Sequence, residues 1–145
     1  MEGQSFYFLN FLSYLGVTLP LMGFGLLVFT ITTPYKEFQL LKEGADTTDP
    51  QKVAAAKAAA HDLGGKLLGL AIVLGSAIYH SVDLLDLLIW GIVGTIFQVI
   101  VFYLFELLTP FKVVSEIPKG NVAVGIFASR LSITAGVLMA ALLSY

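Results

Sequence analysis

Four apolar stretches, each at least about 20 residues long, constrain this chain more than any other feature. They run from Phe6 to about Thr30, from about Ala58 to Ile78, from Leu84 to Leu108, and from Val122 to Leu143. A helix of this length crosses a hydrocarbon core of roughly 30 Å. In no stretch do apolar and polar residues alternate as they do in the strands of a membrane barrel. Only 12% of the residues are charged, against about 25% in soluble domains. The sequence therefore predicts an all-α polytopic protein with four transmembrane helices, in a single transmembrane domain covering residues 1–145.

The ends of the predicted helices carry capping residues. Asp49-Pro50 is typical of an N-cap followed by proline at the first helical position, so the second helix is expected to begin well before its apolar part. Asp83 and Asn121 are expected to cap the third and fourth helices in the same way. The second helix should therefore extend beyond the membrane at its start.

Several classes of chemistry are excluded or disfavoured by what the sequence lacks. The chain has no cysteine, which excludes disulfides, cysteine-ligated metals and thiol catalysis. A net charge of −2 argues against binding of nucleic acid, because there is no basic surplus to neutralise phosphates. No Walker loop, HExxH or GxGxxG motif is present. We therefore expect no catalytic residues, metal or cofactor, and a protein that is not an enzyme.

The basic residues predict how the chain is oriented. All eight lie in or near the two connections that join helix one to helix two and helix three to helix four: Lys36, Lys42, Lys52, Lys57, Lys66, Lys112, Lys119 and Arg130. The opposite side carries only Glu2, His80, Asp83 and Asp86. The positive-inside rule then places both connecting hairpins in the cytoplasm and both termini outside.

The chain also predicts an internal repeat of two helical hairpins. Thr33-Pro34-Tyr35-Lys36 follows the first apolar stretch, Thr109-Pro110-Phe111-Lys112 follows the third, and a glycine comes at the same interval after each, at Gly44 and Gly120. Thr-Pro ends a helix and turns the chain at the membrane surface. The units cover about residues 5–79 and 84–145, and an even number of spans in each makes them parallel repeats.

Small residues recur at a spacing of four in the second helix of each unit. They are Gly65 and Gly69 in the first unit and Ser132 and Gly136 in the second. Small residues let membrane helices approach closely, which matters because hydrophobic burial does not drive helices together within lipid. We expect these faces to form the contact between the two units.

These motifs carry a resemblance to a known family. The Thr-Pro-aromatic-Lys turns, the run Gly120-Asn121-Val122-Ala123 and the small-residue helix after it resemble the bacterial domain of unknown function 350 family, also called uncharacterised protein family 0719. The resemblance covers most of the chain and implies a small four-helix inner-membrane protein built as two tandem units. The genomic context of such proteins implies a role in envelope maintenance and membrane stress, without naming an activity.

Five ionisable residues are predicted to lie at similar depth in the half of the membrane near the hairpins: Glu106, Arg130, His61, Asp62 and Lys66. Charges inside a membrane are costly, so each is a candidate site residue. One interpretation is a polar cluster that lines a cavity, with Glu106 paired to Arg130 at its inner end. The other is that Lys66 and Arg130 extend to the lipid headgroups, with the acids as interfacial partners or, for Glu106, as a structural ion-pair partner.

Two functions are consistent with these features. The first is a non-enzymatic membrane subunit or docking platform of envelope homeostasis that binds a cytoplasmic protein through its hairpins. The second is an oligomeric channel or proton-coupled transporter of small cations that uses the Glu106/Arg130 cluster. Four helices are few for an aqueous path within one chain, so we expect a homo-oligomer in the lipid bilayer.

Overall fold

The computed structural model describes residues 2–144, and every regular element in that range is a helix. Four helices are long and apolar enough to cross a membrane: α1 (Glu2–Thr32), α3 (Pro50–His80), α4 (Leu84–Leu108) and α6 (Val122–Leu142). Two short helices, α2 (Glu37–Glu43) and α5 (Val113–Glu116), lie in the connections. The prediction of an all-α protein with four membrane-spanning helices is confirmed.

The predicted capping residues begin the helices as expected. The Asp49 carboxylate accepts hydrogen bonds from the backbone N–H groups of Gln51 and Lys52, and Pro50 is the first residue of α3. Asp83 and Asn121 cap α4 and α6 through the N–H groups of Asp86 and Val124. Since α3 has 31 residues and rises 1.5 Å per residue, it is about 46 Å long and exceeds the hydrocarbon thickness.

The two helices richest in small residues, α3 and α6, pack more closely together than any other pair of helices. Gly65 lies against the backbone of Ser129, Gly69 against the backbone of Ser132, and Gly136 against the backbone of Gly69. A Cβ atom at any of these glycines would meet backbone atoms closer than real Cβ atoms approach. The four predicted packing residues therefore line a helix crossing that only small side chains permit.

The outermost helix is α1, which packs on α3 and α4 through one side. Leu21 and Phe29 belong to its buried side, while Phe8, Phe11 and Leu19 remain exposed. With no water in the bilayer core, an exposed apolar face of this kind is solvated by lipid tails.

The connections between the long helices gather at one end of the bundle, which we call the hairpin end. The Gln51 side-chain amide donates a hydrogen bond to the carbonyl of Lys119, which links the start of α3 to the second connection. Gly120 has a φ of +82° and lies against Ala54 and Ala55 of α3, a close approach with a backbone angle that favours glycine. The opposite end carries the short turn from His80 to Asp83.

The order of a long, a short and a long helix occurs twice along the chain. That the two halves are parallel repeats related by an axis along the membrane normal stays a prediction.

Candidate functional site

A group of buried polar side chains lies at the hairpin end between the first connection and α3. We call it the buried cluster, and it consists of Thr33, Tyr35, Glu37, Asp62 and Lys66. Thr33 and Tyr35 follow the end of α1, Glu37 is the first residue of α2, and Asp62 and Lys66 lie one turn apart on α3. No member has more than 7% of its surface exposed.

Lys66 is the centre of the cluster. Its Nζ lies 2.6 Å from Asp62 Oδ2, donates to Thr33 Oγ1 at 3.1 Å and lies 3.9 Å from Glu37 Oε1. The same Nζ lies 4.1 Å from the centroid of the Phe102 ring on α4, a cation–π distance. A buried ammonium is tolerated only with such partners, so these contacts hold the first connection, α3 and α4 to one geometry.

Asp62 has a second donor on the same oxygen. The Tyr35 hydroxyl donates to Asp62 Oδ2 at 2.5 Å. Burial raises the pKa of Tyr35, and the neighbouring Asp62 carboxylate raises it further. Tyr35 therefore stays a neutral donor, and Asp62 has two donors on Oδ2, while its Oδ1 is buried without a partner.

Glu37 is the poorly paired carboxylate. Both of its oxygens are buried, and neither accepts a hydrogen bond of normal geometry, although Lys66 Nζ lies 3.9 Å away. Burial raises the pKa of Glu37, and this effect outweighs the lowering by its own backbone N–H, by Lys66 and by the Thr33 hydroxyl. The site thus holds two carboxyl groups and one ammonium, with Glu37 favouring the neutral form.

The remaining predicted site residues do not join this cluster. Arg130 and His61 are exposed, and the predicted ion pair between Glu106 and Arg130 is absent. A Glu106 carboxylate oxygen instead accepts from the backbone N–H of Val114 at 3.3 Å, and Lys112 Nζ donates to the Glu106 carbonyl at 2.8 Å.

The rotation of α6 explains why the expected pair does not form. Ser129 and Ser132 face α3, and Arg130, about 100° around the helix from Ser129 and further still from Ser132, is directed away from this contact. Arg130 accordingly shares the exposed face of α6 with Ile126, Phe127 and Thr134. His61 occupies the matching exposed face of α3, beside Ala60 and Gly64. Arg130 is thus placed to extend along lipid rather than to enter a cavity.

The two repeat turns make different contacts in the two halves of the chain. Thr33 belongs to the buried cluster, whereas Thr109 bonds locally to the carbonyls of Phe105 and Phe111. Pro34 and Pro110 are both exposed at the hairpin end. The two turns therefore share a sequence pattern but only the first contributes to a site.

Sequence reasoning missed Glu37 and Tyr35 as site residues, yet a signal was present. At the spacing that relates the two turns, Tyr35 corresponds to Phe111 and Glu37 to Val113. At the spacing that relates the small-residue motifs, Asp62 corresponds to Ser129 and Lys66 to Ile133. Every ionisable group of the cluster is thus replaced by a neutral residue in the second half, which marks the four positions as a set.

The comparison with known proteins settles the family. Residues 4–143 match the family described as Domain of Unknown Function (DUF350). The chain belongs to the DUF350 family. The resemblance inferred from the turns and the small-residue helix is confirmed.

Curated DUF350-type relatives cover nearly the whole chain. The UPF0719 transmembrane protein YshE of Bacillus subtilis (strain 168) is 32% identical over 130 residues, which is 89% of each chain. The UPF0719 inner membrane protein YjfL of Escherichia coli (strain K12) is 28% identical over 137 residues, 94% of this chain and 95% of the relative. No solved structure matches this DUF350 protein.

Proposed function

We propose that this DUF350 protein is a non-enzymatic inner-membrane subunit that serves as a docking platform for a cytoplasmic protein in envelope homeostasis. The inner membrane is named for the relative YjfL, and the positive-inside rule supports a cytoplasmic hairpin end. The envelope role is supported by the family resemblance. The platform role is supported by the architecture of the hairpin end.

The observation that carries the platform role is that both connections are held against α3. The Gln51–Lys119 hydrogen bond and the contact of Gly120 with Ala54 and Ala55 join segments far apart in the sequence. The buried cluster anchors α2 to α3 beneath them. We call this joined region, made of α2, the first turns of α3, α5 and their connections, the hairpin cap. Binding surfaces built on rigid elements cost less entropy on association.

The exposed charges of the hairpin cap indicate the chemistry of the partner. Its six lysines are all exposed: Lys36, Lys42, Lys52, Lys57, Lys112 and Lys119. Lys52 pairs with Asp46 and Asp49, and Lys119 pairs with Glu116. The other four make no ion pair with any residue in 2–144. Lys112 donates to the Glu106 carbonyl, which leaves Lys36, Lys42 and Lys57 without an ion pair or such a bond. We infer that an acidic face of the partner complements these three lysines.

Site-specific photo-crosslinking in living cells tests this proposal. A photoreactive residue at Lys42 or Lys57 should give a discrete adduct with a second protein, and one at Val82 on the opposite end should not. Reversal of the three unpaired lysines to glutamate should abolish the adduct, whereas conversion of Arg130 to glutamine should leave it intact. Adducts that form only at Val82, or that survive charge reversal, would overturn the platform role.

A second candidate function is an oligomeric channel or proton-coupled transporter of small cations. The observation that favours it is Gln98, which is 2% exposed and has both side-chain polar atoms buried without a hydrogen-bond partner. Gln98 lies against Gly69 of α3, one turn along α4 from the Phe102 ring that covers Lys66. A polar line therefore continues from the buried cluster toward the centre of the bundle.

Proton flux into liposomes tests the second candidate. If the chain transports protons, Glu37→Gln and Gln98→Leu should each abolish flux, while Glu106→Gln should have little effect because Glu106 lies outside the buried cluster. Flux that equals that of empty liposomes would reject the transporter and leave the platform unaffected.

A further inference from the structure

The pairing within the buried cluster is unequal between its two carboxyl groups. Asp62 Oδ2 receives both the Lys66 ammonium at 2.6 Å and the Tyr35 hydroxyl at 2.5 Å. Glu37 is 1% exposed, and both of its oxygens lack a hydrogen-bond partner. A buried carboxylate without hydrogen bonds is among the most costly groups a protein can hold. Asp62 Oδ1 is also buried without a partner, but Glu37 is the carboxyl group of the cluster that lacks a hydrogen-bond donor on both oxygens.

The charge count of the cluster leads to the same residue. With both carboxyl groups ionised and Lys66 protonated, the cluster carries one uncompensated negative charge in a region closed to water. Lys66 already neutralises Asp62, and its distance of 3.9 Å to Glu37 Oε1 exceeds that of a charge-assisted hydrogen bond. One added positive charge on Glu37 makes the site neutral, and a proton supplies that charge without needing any cavity.

We propose that Glu37 is a proton-binding site: it carries a proton while α2 is docked on α3 and releases it to water at the hairpin end. Binding forms one O–H bond on a Glu37 carboxylate oxygen with a proton taken from that water, and no electron is transferred. The inference concerns the site alone and stands apart from the platform role.

The other titratable groups around Glu37 favour the same assignment. Asp62 and Lys66 face it from α3, and Tyr35 precedes it on the connection. From α4, Tyr103 interacts with Glu37 and donates its hydroxyl to the carbonyl of Thr32, whereas Glu106 interacts with Tyr35 and Tyr103. Lys66 is the only cation among these groups, and it is already paired with Asp62. The neighbouring Asp62 carboxylate therefore further favours the protonated form of Glu37.

The position of Glu37 gives the proton a short route to solvent. It is the first residue of the seven-residue helix α2, and its neighbours Lys36 and Phe38 are exposed. Ionised Glu37 is better solvated by water than by its buried site, so loss of the proton favours displacement of α2 from α3. Proton binding and the docking of α2 are thus linked.

Infrared difference spectroscopy of the full-length protein in lipid nanodiscs tests the proposal. The pH is stepped upward from about 4, just below the ordinary glutamate pKa of about 4.3, and the stretch of protonated carboxyl groups is recorded at each step. The variants are Glu37→Gln, which is isosteric with the protonated side chain and should fold, and Glu43→Gln, which alters an exposed carboxyl group of the same helix.

The expected result is one carboxyl band per chain that persists above the ordinary glutamate range and disappears at higher pH. This band should be lost completely in Glu37→Gln and kept in Glu43→Gln. Absence of such a band in the unmodified protein, or its persistence in a folded Glu37→Gln variant, would overturn the assignment. The helical circular dichroism of each variant shows whether it has folded.

Discussion

Lys66 lies 3.9 Å from Glu37 and 2.6 Å from Asp62, with all three side chains almost completely shielded from solvent. The single ammonium therefore serves two carboxyl groups unequally. This inequality connects the stability of the hairpin end to its state of protonation, and it supplies the most direct predictions about the protein.

Stability should fall as the pH rises, because burial raises the pKa of Glu37 in the folded protein. The folded state then binds a proton that the unfolded state has released, so the free energy of unfolding decreases from about pH 4.3 up to the folded-state pKa. Glu37→Gln should lose this part of the decline and be more stable than the unmodified protein at high pH. The free energy of unfolding is measured in detergent at several pH values, with circular dichroism as the signal. Glu43→Gln is the control and should retain the decline.

Removal of the central cation should be strongly destabilising. Lys66→Met leaves the buried Asp62 carboxylate without its cation, with only the Tyr35 hydroxyl as a donor, and a broken buried ion pair costs about 3–5 kcal/mol. Lys57→Met, an exposed position on the same helix, should change the free energy of unfolding little. Adding Asp62→Asn to Lys66→Met should recover part of the loss. If the double variant is no more stable than Lys66→Met, the charge account of the cluster is wrong.

Two adjacent glycines test the packing of α3 on α6. A Cβ atom at Gly65 would meet the backbone of Ser129, whereas a Cβ atom at Gly64 meets nothing within 4 Å. Gly65→Ala should therefore cost about 1–3 kcal/mol through overpacking. Gly64→Ala should be neutral or stabilising by up to about 1 kcal/mol, because alanine favours the helix. Equal effects of the two substitutions on thermal unfolding would contradict the observed crossing.

The proposed orientation is readily tested because the chain has no cysteine. With a cysteine at Lys42, a membrane-impermeant maleimide should label only after the inner face of the membrane is opened. With a cysteine at Val82, which is 92% exposed on the opposite end, labelling should occur in intact cells after the outer membrane, where present, is permeabilised. The reverse pattern would place the hairpin cap outside and reject a cytoplasmic partner.

The sequence was sufficient to predict the four long helices because their determinants are local, whereas the short helices α2 and α5 were not predicted. Apolar length defines the spans, and Asp49, Asp83 and Asn121 begin helices α3, α4 and α6 through bonds within three residues. Which face of a helix contacts its neighbouring helix is not determined locally. Depth alone suggested that Glu106 and Arg130 meet, but the rotation that directs Ser129 and Ser132 toward α3 turns Arg130 away.

The candidate site could be predicted only in part. Asp62 and Lys66 are four residues apart on one helix, so their pairing follows from helical geometry. Glu37 becomes buried only because α2 folds back onto α3, a tertiary contact with no local signature. The sequence signal for Glu37 was that the corresponding position in the second half is Val113. This difference can be interpreted only after the cluster has been identified.

The most direct test of the account is the pH dependence of hydrogen exchange in α2, measured on the full-length protein in nanodiscs. After correction for the intrinsic effect of pH, the amides of residues 40–43 should lose protection as the pH rises through the Glu37 transition. In Glu37→Gln they should stay protected throughout, and in Glu43→Gln they should behave as in the unmodified protein. Protection of α2 that does not change with pH, or that changes equally in Glu37→Gln, would contradict the linkage between the Glu37 proton and the hairpin cap.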